Sequence, residues 1–291
     1  MKVAVIGATG QLGRDVCDRF RQGGDEVCEL THSDLEISSA EQVNSVLAGV
    51  HPDVVVNTAA MHHVEKCEAD PARAFLVNAT GARNLALFSR ESGAVLIHIS
   101  TDYVFDGAQQ RPYVETDLPC PLNVYGNSKL AGEFFVRVLA PKHFVVRVSA
   151  LYGHNPCRAK GGLNFVELML KLANERPEIR VVDDEYVSPT RTIDVAEQLT
   201  KLTRSADYGL YHATSEGSCS WFEFAREIIA FAGANVRLEP ARPGEFPAKV
   251  PRPRYSVLEN SRLKSAKLNV FRNWKDALHG YLNARCAVAG A

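Results

Sequence analysis

The chain has 291 residues, 46% of them hydrophobic, and its 33 basic and 34 acidic side chains leave a formal charge of −1. That length and apolar content suffice for a large buried core, while the balanced charge excludes the basic field that draws nucleic acid or an anionic membrane. No apolar run approaches the roughly 18 residues needed to span a bilayer, and MKVAVIGATG is too short in apolar residues for a secretory leader, so a cytoplasmic protein with a small-molecule partner is expected.

In chain order, β-rich runs alternate with helical ones: KVAVI (2–6), EVCEL (26–30), DVVVN (53–57), AVLIHIS (94–100) and HFVVRVS (143–149). These runs are continuously apolar, as burial on both faces of a parallel sheet demands. The alternation predicts an α/β fold with a doubly wound parallel Rossmann sheet. Between the strands, Ser39 to Gln42 reads as a capping box, and Asp70-Pro71 as the start of one long helix running towards Arg90. Beyond residue 155 the spacing predicts helices over 164–175, 194–203 and 220–233 and a strand over 180–184. The five prolines of 240–254 predict a loop over a site or a crossing between domains, and CAVAGA reads as a frayed tail. The domain expectation is a dinucleotide-binding Rossmann domain over 1–155. Residues 156–285 form mostly a smaller α/β substrate-binding portion, with some segments returning to the first domain.

Seven cysteines, odd in number and without a C-x-x-C pair, fit reduced thiols in a cytosol. The stretch Met61 to Glu68 has metal-ligand residue types, but adjacent histidines do not easily meet one ion, and a structural or surface role with no metal is the expectation.

Gly7, Gly10 and Gly13 follow the first strand at once and open a helix. There Gly7 permits a tight turn, Gly10 lets the backbone approach a pyrophosphate, and Gly13 lets helix and strand pack closely. The second strand runs into Leu30-Thr31-His32-Ser33 with no acid before Asp34 to hold a ribose 2′-hydroxyl. Arg14 could instead meet a 2′-phosphate, so NADPH is expected, with NADH as the alternative.

Ser100-Thr101-Asp102-Tyr103 lies at the end of the fourth strand, where ligands of doubly wound sheets bind. In NVYGNSKLAGE, Tyr125 and Lys129 share one helix face. Chance alone places a lysine four after a tyrosine roughly 0.3 times in such a chain, so the pair gains meaning only from its company. A nearby ammonium is expected to lower the tyrosine pKa, suiting it to give a proton to a ketone, with a hydroxyl at Thr101 holding the oxygen.

GATGQLG, VVVNTAA, STDYVFDG, ETDLPCPLNVYGNSKLAGE and RPRYSVLENSRL together resemble the extended branch of the short-chain dehydrogenase/reductases, and within it the dTDP-4-dehydrorhamnose reductases, over nearly the whole chain. The resemblance implies NADPH-dependent reduction of a nucleotide-linked 4-keto-6-deoxyhexose. It implies Tyr125 as proton donor, Lys129 on the nicotinamide ribose, and Thr101, Asp102, Tyr125 and Ala150 on the substrate side. It also implies Gly7, Gly10, Gln11, Leu12, Gly13, Arg14, Asp34, Leu35, Ala59, Ala60 and Met61 along the cofactor. Mg²⁺ follows from the resemblance only, and a homodimer is the default assembly. An epimerase or dehydratase that retains NAD, and a non-catalytic subunit similar to that regulating methionine adenosyltransferase, are the alternatives. Two stretches depart from the family pattern: Ala150 replaces the tryptophan of S-W-x-Y, and Glu185 and Val187 replace Gln and Gly of D-Q-x-G-x-P-T.

Overall fold

The computed structural model describes residues 1–157, 161–242, 244–246 and 249–289, with side chains through 287; two of the five prolines of the 240–254 stretch, Pro243 and Pro247, lie outside the described residues. Six parallel strands form the central sheet in the order β10-β5-β4-β3-β1-β2. They are β1 (Lys2–Ile6), β2 (Glu26–Leu30), β3 (Val54–Asn57), β4 (Val95–Thr101), β5 (His143–Val148) and β10 (Gly209–His212). The first five match the runs read from the sequence to within one residue, and the Rossmann-type sheet is present as expected. The order reverses between β1 and β3, and that switch point opens a crevice at the strands' carboxyl ends.

Alternate strand residues feed opposite faces. Val3, Val5, Val54, Val56, Ile97 and Val146 pack against α1 (Gln11–Gln22) and α8 (Thr192–Thr203). Ala4, Ile6, Val55, Leu96 and Val145 pack against α2 (Ala40–Val50), α5 (Gly81–Ser92) and α6 (Val124–Leu139). The segment expected as one long helix is helical but interrupted. After α3 (Val64–Ala69), α4 (Pro71–Phe75) is followed by a π-turn over Leu76–Thr80 before α5 begins. Asp70 caps α4 by accepting from Arg73 N–H, as its place before Pro71 requires. At α2, Ser39 accepts from Gln42 N–H, but the Gln42 side chain accepts from Glu36 N–H, so the box is half formed.

The rest of the chain builds a third core from α7 (Phe165–Glu175), α9 (Trp221–Ala232), α11 (Trp274–Ala289) and β7 (Glu178–Val181), which pairs with β12 (Arg237–Pro240). Two short pairs, β6 (Leu151–Tyr152) with β9 (Thr190–Arg191) and β8 (Tyr186–Val187) with β11 (Cys219–Ser220), complete it. Helix α10 (Ser261–Ser265) packs near β10. The tail expected to fray continues α11 as far as Ala289.

Cys17 and Cys219 are buried in these cores and Cys67 is buried on α3, and burial pushes their thiols up, to about 12 for Cys17 and about 11 for Cys67. Above pH 9 the unfolded chain therefore binds fewer protons than the folded one, and stability falls as pH rises. Buried Lys129, lowered to about 8, works in the opposite direction between about pH 8 and 10.5. Each group contributes a slope of up to ~1.4 kcal/mol per pH unit in its window, so three thiols outweigh one amine. We expect the Tm to fall steadily from pH 9 to 11 in calorimetry; a flat or rising Tm would contradict this placement of the thiols.

Candidate active site

The crevice holds a cavity of about 500 Å³. Gly10 to Gly13, Thr58 and Ala60 line it on the switch-point side, and Thr101, Asp102, Tyr125 and Lys129 line it beyond β4. Ala150, Val187, Trp221 and Arg252 close it from the later segments. The glycine turn is shaped for a close ligand. Gly7 has φ +78°, and a Cβ on Gly13 would stand 2.2 Å from the Gly7 carbonyl oxygen. Helix α1 begins with no side-chain cap and no acid in its first turn, so its first N–H groups are available to an anion. These features fit a dinucleotide pyrophosphate.

Around the adenosine end the predicted residues divide. Asp34 is exposed but turned back on Thr31, accepting from its N–H (2.8 Å) and hydroxyl (2.6 Å), which hold its carboxyl below the usual range. Leu35 gives its side chain to the core. Arg14 is exposed and, among the described residues, forms no ion pair with a carboxylate. Asn57 Oδ1 accepts from Ala59 N–H, and Asn78 clamps Met61, accepting from its N–H and donating to its carbonyl, both at 2.9 Å. Asn78 also donates to Ser128 Oγ on α6. The π-turn supplies this contact: the extra residue swings Asn78 between the loop and α6.

Asn123 caps α6 by accepting from Gly126 N–H (2.9 Å) and donates to the Pro251 carbonyl. Tyr125 and Lys129 then follow on the helix face turned to β4. The Thr101 hydroxyl lines the same cavity as Tyr125 and donates to Asp102 Oδ1 at 3.0 Å. Asp102 Oδ2 accepts from Ser149 (2.9 Å) and Ser256 (2.5 Å). Both carboxylate oxygens of Asp102 are thus engaged, and it anchors Thr101 from below rather than presenting an open carboxylate to a sugar. Burial raises its pKa.

The expected depression of the Tyr125 pKa is not what the geometry produces. Burial raises it, with only the Thr101 contact working the other way, because Lys129 Nζ is turned to the Ile99 carbonyl (2.6 Å) and His98 Nε2 (3.4 Å). Lys129 itself is lowered to about 8 by burial, with Glu133 one turn on opposing that shift. A neutral phenol with a raised pKa still suits proton donation, because the alkoxide formed from a reduced ketone is a much stronger base than a phenolate.

Several participants were not legible as such in the sequence. Glu133, within SKLAGE, is fully buried and holds Arg147 in a two-pronged pair (2.8 and 2.6 Å) while accepting from Ser100 (2.5 Å). Glu115 of the ETD phrase accepts from the N–H groups of His212 and Arg262, so that phrase stitches its loop to β10 and the late RPRYSVLENSRL segment. The histidine stretch read as structural lines the cavity through His62, His63, Val64 and Glu65. Glu65 holds Arg252 at 2.5 Å across it, and Arg252 Nε is buried without a partner among the described residues. Arg252 comes from the proline-rich stretch, which crosses over the cavity. Ala150 sits at φ +44°, a strained setting for a residue with a Cβ. An aromatic surface nonetheless reaches the cavity by another route, from Trp221 at the start of α9. Among the described residues no group of three or more His, Cys, Asp or Glu side chains is placed to hold a metal ion, and no helix is long and apolar enough to cross a membrane.

Dinucleotide-dependent oxidoreductases of Rossmann type share this plan, and the protein is one of them. The chain belongs to the RmlD substrate binding domain family, whose profile matches residues 1–286. It is 42% identical to the spore coat polysaccharide biosynthesis protein SpsK of Bacillus subtilis, over 98% of each chain. It is 40% identical to a dTDP-4-dehydrorhamnose reductase of Streptomyces griseus, over 98% of this chain and 94% of that one. The crystal structure of dTDP-4-dehydrorhamnose reductase from Bacillus anthracis in complex with NADP superposes with a TM-score of 0.91 at 37% identity, covering 97% of this chain and 99% of that one.

Proposed function

We propose that the protein reduces the C4 ketone of dTDP-4-dehydro-L-rhamnose to give dTDP-L-rhamnose, a precursor of surface polysaccharide, using NADPH. The observation that carries this reading is the Thr101, Tyr125 and Lys129 set facing one cavity with the glycine turn, in a chain similar along nearly its whole length to reductases of that name. NADPH supplies the hydride when bound. The Thr101 hydroxyl turns its proton from Asp102 Oδ1 to the ketone oxygen, which Tyr125 also holds, and Tyr125 gives its proton to the alkoxide as it forms. Lys129 holds the nicotinamide ribose and offsets the negative charge left on Tyr125. On the substrate side, Arg252 offers an unsatisfied donor to the diphosphate and Trp221 an apolar face.

Residues 1–155 serve the cofactor in this reading, and 156–285 mostly the sugar nucleotide, with α8 and β10 returning to the central sheet. Seven free cysteines support a reducing cytoplasm. The exposed Phe134, Phe135 and Val138 of α6 support a homodimer, which light scattering would test.

The functional test is a spectrophotometric screen of NADPH oxidation against nucleotide-linked 4-ketosugars, run on the wild type and Arg14→Ala. The dTDP-linked 4-keto-6-deoxyhexoses are expected to be turned over, with a lower KM for NADPH than for NADH. Losing one charged contact to the 2′-phosphate raises the NADPH KM of the variant about tenfold or more and leaves the NADH KM unchanged. Turnover confined to other sugars would refute the substrate assignment, and equal cofactor KM values would refute the role of Arg14.

A further inference from the structure

Beneath Lys129 a run of buried polar groups leads back to the loop after β3. Asn57 and His98 are paired across β3 and β4, and each is 1% exposed. Ala59 N–H donates to Asn57 Oδ1 at 3.1 Å, so the other end of the amide, Nδ2, faces His98 Nδ1 at 3.1 Å. An amide nitrogen only donates; His98 Nδ1 must therefore accept, and the single proton of a neutral imidazole lies on Nε2. Burial and the neighbouring Lys129 keep the ring neutral. Nε2 stands 3.4 Å from Lys129 Nζ. An N–H directed at an ammonium sets two donors against each other, whereas an N–H directed at a neutral amine is a hydrogen bond.

A charged Lys129 is accommodated only if the imidazole carries its proton on Nδ1 instead. That proton then needs an acceptor, and among the described residues Asn57 Oδ1 provides it once the amide turns over, which withdraws Oδ1 from Ala59 N–H. The two states differ by one proton, taken from water at Lys129; the ring holds one proton in both.

We propose that Asn57 and His98 form a tautomer relay coupling the charge on Lys129 to the cofactor loop at Thr58 to Ala60. Both are positioning residues, and the catalytic meaning of the relay rests on the reductase reading above. The other charged groups around Lys129 leave this contact to His98. Tyr125 and Glu133 flank it on α6, Arg147 on β5 is consumed by Glu133, and Asp102 is bonded to Thr101, Ser149 and Ser256.

The relay is read directly by ¹⁵N NMR of histidine-labelled wild-type protein, with His98 assigned by its loss in His98→Gln. The expected result is an Nε2–H tautomer at pH 9.5 that gives way to Nδ1–H near pH 7. A single tautomer across that range overturns the proposal. In kinetics, Asn57→Asp supplies oxygens to both Ala59 N–H and His98 Nδ1–H. It therefore favours the charged-lysine state and moves the alkaline limb of kcat/KM up by about one unit. In the double variant with His98→Gln most of that shift disappears, because the imidazole that carries it is gone; an undiminished shift would mean direct charge attraction and refute the relay. The NMR readout requires no turnover, so it stands apart from a failure of Tyr125 as proton donor.

Discussion

Replacing Tyr125 by phenylalanine lowers turnover about 10³-fold, within the range that a positioned acid contributes, while NADPH affinity and Tm stay near wild type. The hydroxyl oxygen is the only heavy atom removed, and the ring's edge-on contact with Tyr103, 5.9 Å between centroids at 69°, survives. Thr101, anchored through Asp102 to Ser149 and Ser256, continues to hold the ketone, so substrate KM changes little and the loss falls on kcat. Stopped-flow measurement of single-turnover NADPH oxidation separates this from slow product release. A rate within threefold of wild type would move the proton donor elsewhere, and an equal loss of NADPH binding would make Tyr125 a cofactor residue first.

The largest effect on stability is expected from Glu133→Leu. The change removes one partner of a pair whose side chains are 1% and 0% exposed and leaves the Arg147 guanidinium with the His212 ring (3.4 Å) and the Phe105 face (5.1 Å to the centroid). Breaking a buried ion pair from one side costs about 3–5 kcal/mol, because the remaining charge stays desolvated. For a chain of this size that lowers Tm by about 5–8 °C, which differential scanning calorimetry reads. Replacing both partners by apolar residues, Glu133→Leu with Arg147→Met, is expected to recover most of the loss. A single variant as stable as wild type would show that water reaches the pair. Ser100 loses its acceptor in the same variant, and Lys129 loses the carboxylate that opposes its depression, so activity falls further towards alkaline pH than stability alone accounts for.

How much of this was readable beforehand follows from the range of each interaction. The parallel sheet, the glycine turn and the Tyr125–Lys129 pair were legible because their causes are local. Continuous apolar runs report burial on both faces, three glycines report a turn that a Cβ would obstruct, and a four-residue step on a helix is set by its pitch. The caps at Ser39 and Asp70 are likewise read within four residues.

The electrostatics of the site were not local. A lysine four residues from a tyrosine suggested a depressed phenol, yet where the amine points depends on His98 and the Ile99 carbonyl, supplied by a strand about 30 residues earlier. The π-turn that brings Asn78 to Met61 and Ser128 interrupts a pattern that reads as one helix. The sequence alone therefore determined the sheet, the glycine turn and the placing of Tyr125 and Lys129 on one helix face. Only the tertiary structure decided which charges are buried together, that Asp102 braces Thr101, and that Trp221 and Arg252 reach the cavity across more than 90 residues of chain from Tyr125. The reason is physical: helix pitch and strand alternation act within a few residues, whereas desolvation and Coulomb pairing depend on which distant segments exclude water together.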